Sequence, residues 1–137
     1  MTPEVMALTH AAAFTQARPW TAAEFEDLLK NRFTHVVGDP NSFALFQVIA
    51  GEAELLTIAT HPLHQRQGLA AACMKNWHAV AADLGAARAI LDVAADNGAA
   101  IALYERFEYS PCGRRKAYYT RDSVSNCDAI VMERALP

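Results

Sequence analysis

Cysteine is scarce in this chain. The three present, Cys73, Cys112 and Cys127, are an odd number without paired spacing, so no disulfide framework is expected and the thiols should be reduced, as in a cytoplasmic protein. Basic charge is not in excess either. Twelve lysines and arginines against 15 acidic residues leave a net charge of -3, which argues against nonspecific nucleic-acid binding and gives a surface mildly suited to basic partners. No apolar run approaches the ~20 residues of a membrane span, and the N-terminus lacks the basic segment and apolar stretch of a signal peptide. His61 and His64, with His78 farther on, match no strong zinc spacing and bring no cysteine with them. With no repeat, low-complexity segment or linker, residues 1–137 read as one cytoplasmic domain without metal, membrane contact or a direct nucleic-acid partner. At that length a sizeable core can form, and a hydrophobic content of 53% supplies it.

Periodicity orders the chain as helices and strands that interleave. Pro3 to about Phe14 reads as a helix with Val5, Met6, Leu8, Ala12 and Ala13 apolar, ended by Arg18-Pro19-Trp20. Thr21-Ala22-Ala23-Glu24 has the form of a capping box for a second helix to about Lys30, with Phe25, Leu28 and Leu29 inward. Phe33 to Val37 and Ser42 to Ile49 predict a hairpin about the turn residues Gly38-Asp39-Pro40-Asn41. A strand at Glu54 to Ala59 then leads through the loop His61 to Gln67 into the helical pattern Leu69, Cys73, Trp77, Val80, Leu84, stopped by Gly85. Arg88 to Val93 is apolar on both faces and reads as a central strand. Asp96 is placed to cap a helix from Asn97 to about Phe107. Strands around Tyr109 to Gly113 and Ala129 to Arg134 follow, with Arg114-Arg115-Lys116 as a solvated loop and a polar loop near Arg121 to Asn126. That order predicts an α/β (α+β) fold, a mixed central sheet flanked by helices.

The junction Gln65-Arg66-Gln67-Gly68-Leu69-Ala70 carries the chemistry. It follows a strand and opens a helix, where the first N–H groups have no internal partner and the helix dipole is positive. Glycine at 68 and alanine at 70 keep side chains away from a ligand that approaches the backbone closely. These residues resemble the Gln/Arg-x-x-Gly-x-Gly/Ala motif with which GNAT acetyltransferases bind acetyl-CoA. Downstream, the segment from Leu91-Asp92-Val93 through Asn97 to Leu103-Tyr104 is similar to the Leu-Glu-Val…Ser-Asn-x-Ala-Ala-Ile-x-Leu-Tyr pattern of the RimI-type ribosomal-protein-alanine N-acetyltransferases. With the flanking strands, the resemblance spans residues 52–132.

The resemblance implies a cosubstrate, acetyl-CoA, and roles for particular residues. Backbone groups of Ile58, Ala59 and Thr60 would pair with the pantetheine arm, one N–H holding the thioester oxygen. Arg66, Gln67, Gly68, Leu69, Ala70 and Ala71 would cover the pyrophosphate, with Asn97 contacting the cofactor or only starting its helix. Asp92 stands where the branch has a glutamate base. One methylene shorter, it withdraws the carboxylate by about 1.5 Å and is expected to act through a water, unless it merely caps a loop or pairs with a nearby cation. Glu54 on the neighbouring strand is the alternative base. Tyr104 matches the tyrosine that protonates the departing thiolate, or else is a core residue packing with Phe107. Tyr118-Tyr119 aligns with substrate-groove residues. The implied acceptor is a ribosomal protein N-terminus, with a small-molecule amine, a lysine side chain or a non-catalytic acetyl-CoA-binding module as alternatives, in a monomer or weak homodimer. Two departures stand out: the chain begins at the helix without the family's first strand, and Phe107-Glu108-Tyr109 replaces Leu-Gly-Phe.

Overall fold

In the computed structural model, which describes residues 1–14, 18–119 (for Tyr119 the backbone only) and 127–137, six strands form one mixed sheet in the order β1-β2-β3-β4-β6-β5. The strands are β1 (Thr34–Asp39), β2 (Ser42–Ile49), β3 (Glu52–Thr60), β4 (Arg88–Ala94), β5 (Ser110–Tyr119) and β6 (Cys127–Ala135). Helices α1 (Pro3–Ala13), α2 (Ala22–Lys30), α3 (Leu69–Asp83) and α4 (Gly98–Arg106) flank the sheet, and a 3-10 turn at Pro62–His64 leads into α3. The expected mixed fold is present. No strand precedes α1 among the described residues, so β1 is a sheet edge. The polar loop expected near Arg121 to Asn126 lies outside the described residues.

Local chemistry explains the elements. The Thr21–Glu24 capping box closes reciprocally at the start of α2. Pro40 and Asn41 turn between the paired Asp39 and Ser42. Gly38 before them has φ +103°, and a Cβ there would meet the Ser42 carbonyl oxygen at 2.2 Å, so only glycine fits. α1 and α2 cover one face of the sheet, where Met6 and Phe25 pack on Phe43, Leu45 and Ala59. The opposite face carries the larger core, in which Trp77 and Met74 of α3 and Tyr104 of α4 pack on Phe46, Leu55, Leu91 and Val93. The Trp77 indole N–H donates to Met74 Sδ at 3.2 Å, which gives this buried donor a partner.

Several expectations need correction. The buried face of α1 is Met6, Thr9 and His10, while Leu8 is 73% exposed; the side chains of Thr9 and His10 bond to Pro40 O and Thr57 Oγ1, which lets polar residues point inward. On α3 the inward residues are Cys73, Met74, Trp77 and Ala81, and Leu84 is exposed. Asn97, not Asp96, caps α4, its Oδ1 accepting the Ala100 N–H at 3.2 Å. The basic run Arg114-Arg115-Lys116 is strand rather than loop, because β5 continues to Tyr119 against β6.

Candidate active site

The sheet is split along its middle. β3 and β4 run parallel and pair over only three rungs, Glu52↔Arg88, Ala53↔Ala89 and Glu54↔Ile90. Past Glu54, β3 stays paired to β2 as far as Thr60, and β4 stays paired to β6 as far as Ala94. The divergence coincides with a bulge. Leu45 faces Thr57 and Phe46 faces Leu55, so Leu56 is an extra residue in β3, and such an insertion bends its strand. Residues 55–60 therefore turn toward β4 a row of N–H and C=O groups without a strand partner, which an extended ligand bearing amides can satisfy by lying in the split as a strand. The structure brings Ile58, Ala59 and Thr60 to this edge.

At the end of β3 the chain passes through the 3-10 turn to α3. α1, α2 and α4 each have a side-chain cap, from Thr2, Thr21 and Asn97, but α3 begins at Gly68 with no side-chain cap. The first intrahelical bond at this end is Ala72 N–H to Gly68 O, so the N–H groups of Leu69, Ala70 and Ala71 point out of the helix unclaimed by a capping side chain. Gly68 has φ +76°, and a Cβ built there would meet nothing within 4 Å. This open approach, at the positive end of a fifteen-residue helix, fits the pyrophosphate of a nucleotide cofactor. Arg66 and Gln67 are exposed beside it, Arg66 at φ +63°. A hydroxyl and thiol relay ties the two parts together, Ser42 Oγ standing 2.9 Å from Thr60 Oγ1 and 3.4 Å from Cys73 Sγ.

Charged groups gather on the other side of the split. Among the described residues the α1/α2 cluster draws on β1, β2 and β3 and includes nothing of β4, β5 or β6, so those helices leave that face of the later strands uncovered. Asp92 projects there, its side chain 17% exposed, and accepts from Arg115 Nε at 3.1 Å. The expected loop at Arg114-Arg115-Lys116 hid this contact, in which Arg115 reaches Asp92 from β5 across β6. Its guanidinium also stands 5.3 Å from the centre of the Tyr118 ring. Glu54, at the last rung before the split, carries a carboxyl raised above its ordinary range, first by partial burial and then by the negative charge of Asp92, with Arg115 opposing.

Tyr104 sits on α4 within the larger core, 6% exposed, its ring 5.9 Å from that of Tyr109. The Tyr109 hydroxyl is 2.6 Å from His78 Nε2, and burial raises the Tyr109 phenol while lowering His78 to about 4. Because Leu91 and Val93 belong to the α3/α4 core while Asp92 lies between them in sequence, Asp92 and Tyr104 stand on opposite sides of β4. Asn97 starts α4 and retains its amide nitrogen as a donor. His61 Nδ1 accepts the Leu63 N–H at 3.2 Å, capping the 3-10 turn.

A split parallel pair leading to an uncapped helix can take an extended ligand that carries phosphate, and the Acetyltransferase (GNAT) family matches residues 8–109. The chain belongs to this family and is an acetyl-CoA-dependent N-acetyltransferase. It is 36% identical over 141 aligned residues to the [Ribosomal protein bS18]-alanine N-acetyltransferase of Escherichia coli (strain K12), covering 99% of this chain and 93% of that protein. The crystal structure of the ribosomal-protein-S18-alanine N-acetyltransferase from Escherichia coli superposes with a TM-score of 0.87 at 29% identity, covering 98% of this chain and 87% of that one. Arabidopsis thaliana NAA60 in complex with acetyl-CoA shares the fold, with a TM-score of 0.81 at 15% identity over 99% of this chain and 96% of that one.

Proposed function

We propose that this enzyme acetylates the N-terminal α-amine of a cytoplasmic ribosomal protein, with alanine of a bS18-type protein as the acceptor. The observation that carries this reading is the 36% identity along 99% of the chain to an enzyme named for that substrate. Acetyl-CoA supplies the acetyl group as a thioester. Backbone groups of Ile58, Ala59 and Thr60 orient it along the split, and the N–H groups at the start of α3, with Arg66, Gln67 and Gly68 before them, hold its pyrophosphate. The Asp92 and Glu54 carboxylates, on the open face, form the proton acceptor for the incoming ammonium. From the other side of β4, the Tyr104 hydroxyl gives a proton to the departing sulfur.

A competition between two peptides tests the acceptor. An α-amine titrates near 8 and a lysine near 10.4, so stripping the lysine costs about 3 kcal/mol more. A peptide that starts with alanine should be acetylated faster than the same peptide with a blocked N-terminus and a free lysine. Preference for the blocked peptide would reject the ribosomal-protein acceptor and promote a lysine or small-molecule amine.

A further inference from the structure

We propose that β1 is the interface of a homodimer, in which the β1 strands of two copies pair antiparallel about Val37 and join the two sheets into one. The outer strands of the sheet are β1 and β5, and they meet solvent differently. β5 carries the devices that keep an edge from pairing: Pro111, the cations Arg114, Arg115 and Lys116, and shifts of register at Pro111/Gly113 and Arg115/Tyr119. β1 has none of them. Thr34–Asp39 contains no proline, lysine or arginine and runs against β2 without a break in register. An unguarded edge of this kind accepts another strand, and among the described residues no strand lies beyond β1.

The backbone fixes the register. Phe33 O accepts the Val48 N–H at 3.0 Å, and this pair continues the ladder in which Val37 faces Ala44 and Asp39 faces Ser42. The odd-numbered residues of β1 therefore spend their N–H and C=O groups on β2, and those of the even-numbered residues point outward. Asn31 O takes the Thr34 N–H at 3.0 Å, which leaves Val36 and Gly38 to bond a partner strand. Because outward groups alternate along the strand, a two-fold axis between two copies passes where one residue meets its own counterpart. Centred on Val37, the pairing sets Val36 against the partner's Gly38 and uses both outward residues. Centred on Val36, it would set Gly38 against the partner's Thr34, whose N–H is occupied. Side chains select the same register. His35, Val37 and Asp39 share the α3 face of the strand, the His35 ring lying 5.6 Å from that of Phe46. Val37 then meets its own copy, and on either side of it His35 stands opposite the partner's Asp39 at the close spacing of a non-hydrogen-bonded pair. Asp39 Oδ1 accepts the N–H groups of Asn41 and Ser42 at 2.8 and 3.3 Å, and its Oδ2 receives the imidazole N–H. Pairing over a six-residue strand buries less than the ~1,600 Å² of a standard interface, so association in the micromolar range is expected.

Sedimentation equilibrium of the full chain tests the dimer. The parent should pass from monomer to dimer across the micromolar range, and a chain that stays monomeric up to millimolar concentration overturns the proposal. His35→Asp sets carboxylates against each other on both sides of the axis and should raise the dissociation constant by about tenfold, whereas His35→Lys keeps the attraction to Asp39 and should change it by less than about threefold. A dissociation constant that does not distinguish the two variants would refute the pairing. Cross-linking tests the register without a change of charge. With the exposed Cys112 and half-buried Cys127 removed as Cys112→Ser and Cys127→Ser, Val37→Cys faces its own copy and should form an intermolecular disulfide on mild oxidation. His35→Cys in the same background faces Asp39 and should form little. Equal cross-linking at the two positions, or none from Val37→Cys in a chain that dimerises, overturns pairing about Val37.

Discussion

Acidification from pH 7 to pH 5 should destabilise the fold by about 2 kcal/mol through His10 alone. This imidazole is fully buried on α1. Its Nδ1 accepts the Trp20 backbone N–H at 3.1 Å, so the ring proton resides on Nε2, which donates to Thr57 Oγ1 at 3.1 Å. Phe14 stacks on the ring at 3.9 Å and Trp20 at 5.1 Å, with the edge of Phe25 at 5.4 Å. Burial holds the pKa at about 4 against an ordinary 6.5, Glu24 offsetting part of the effect. Between those values the unfolded chain binds the proton and the folded one does not. Stability is therefore full above 6.5 and falls as the pH drops through the window, by about 3 kcal/mol in total, most of it before pH 5. Urea denaturation at pH 7 and pH 5 checks this when the parent is compared with His10→Gln. The variant should be less stable at pH 7, having lost ring packing, but should lose about 2 kcal/mol less on acidification. His78, also lowered to about 4, contributes to both proteins and cancels in the comparison. Parallel losses in the two proteins would refute the assignment of a neutral, buried His10.

Three further outcomes follow from the geometry. Gly68→Asp places a carboxylate beside the unclaimed N–H groups of α3; its Cβ meets nothing within 4 Å but sits at φ +76°, a strain of about 1 kcal/mol that the fold should survive while calorimetry shows CoA affinity reduced at least tenfold; unchanged affinity would misplace the pyrophosphate. Tyr104→Phe should leave CoA affinity and folding nearly intact and lower kcat by about 10²–10⁴-fold, and wild-type turnover would remove the acid from the scheme. Glu108, at φ +69°, occupies a left-handed position that disfavours a side chain by about 1 kcal/mol. Its ion pair with Arg134 at 3.9 Å, from a carboxylate 83% exposed, offsets little. Glu108→Gly should therefore raise Tm by several degrees, and an unchanged or lower Tm would count against strain there.

The helices and strands were legible because periodicity and punctuation agreed, as at Thr21–Glu24 and at the turn Pro40-Asn41. The departure at Glu108 was legible too, its left-handed backbone being one that glycine adopts freely. Less visible was the inward face of α1, since Thr9 and His10 read as polar and only tertiary partners make their burial affordable. That Asp92 pairs with a cation was an open alternative, but Arg115 could not be named as the partner, for a different reason. It joins residues 23 apart on strands separated by β6, and nothing in the run Arg114-Arg115-Lys116 distinguishes a solvated loop from an exposed strand whose face holds a carboxylate.

The bulge at Leu56 links these observations. In a regular sheet, β3 and β4 would pair along their length and close the edge that residues 58–60 now turn outward. An extra residue bends β3 away while the antiparallel neighbours on each side, β2 and β6, keep their own ladders, so the unpaired groups are confined to the split. The same insertion exchanges the faces of β3. Ala53 and Leu55 belong to the α3/α4 core, but Ala59 belongs to the α1/α2 core. A continuous sheet would wall off a tyrosine on one face from carboxylates on the other. Across an open split, groups on the two faces can approach one ligand from opposite sides, so that access depends on a single inserted residue.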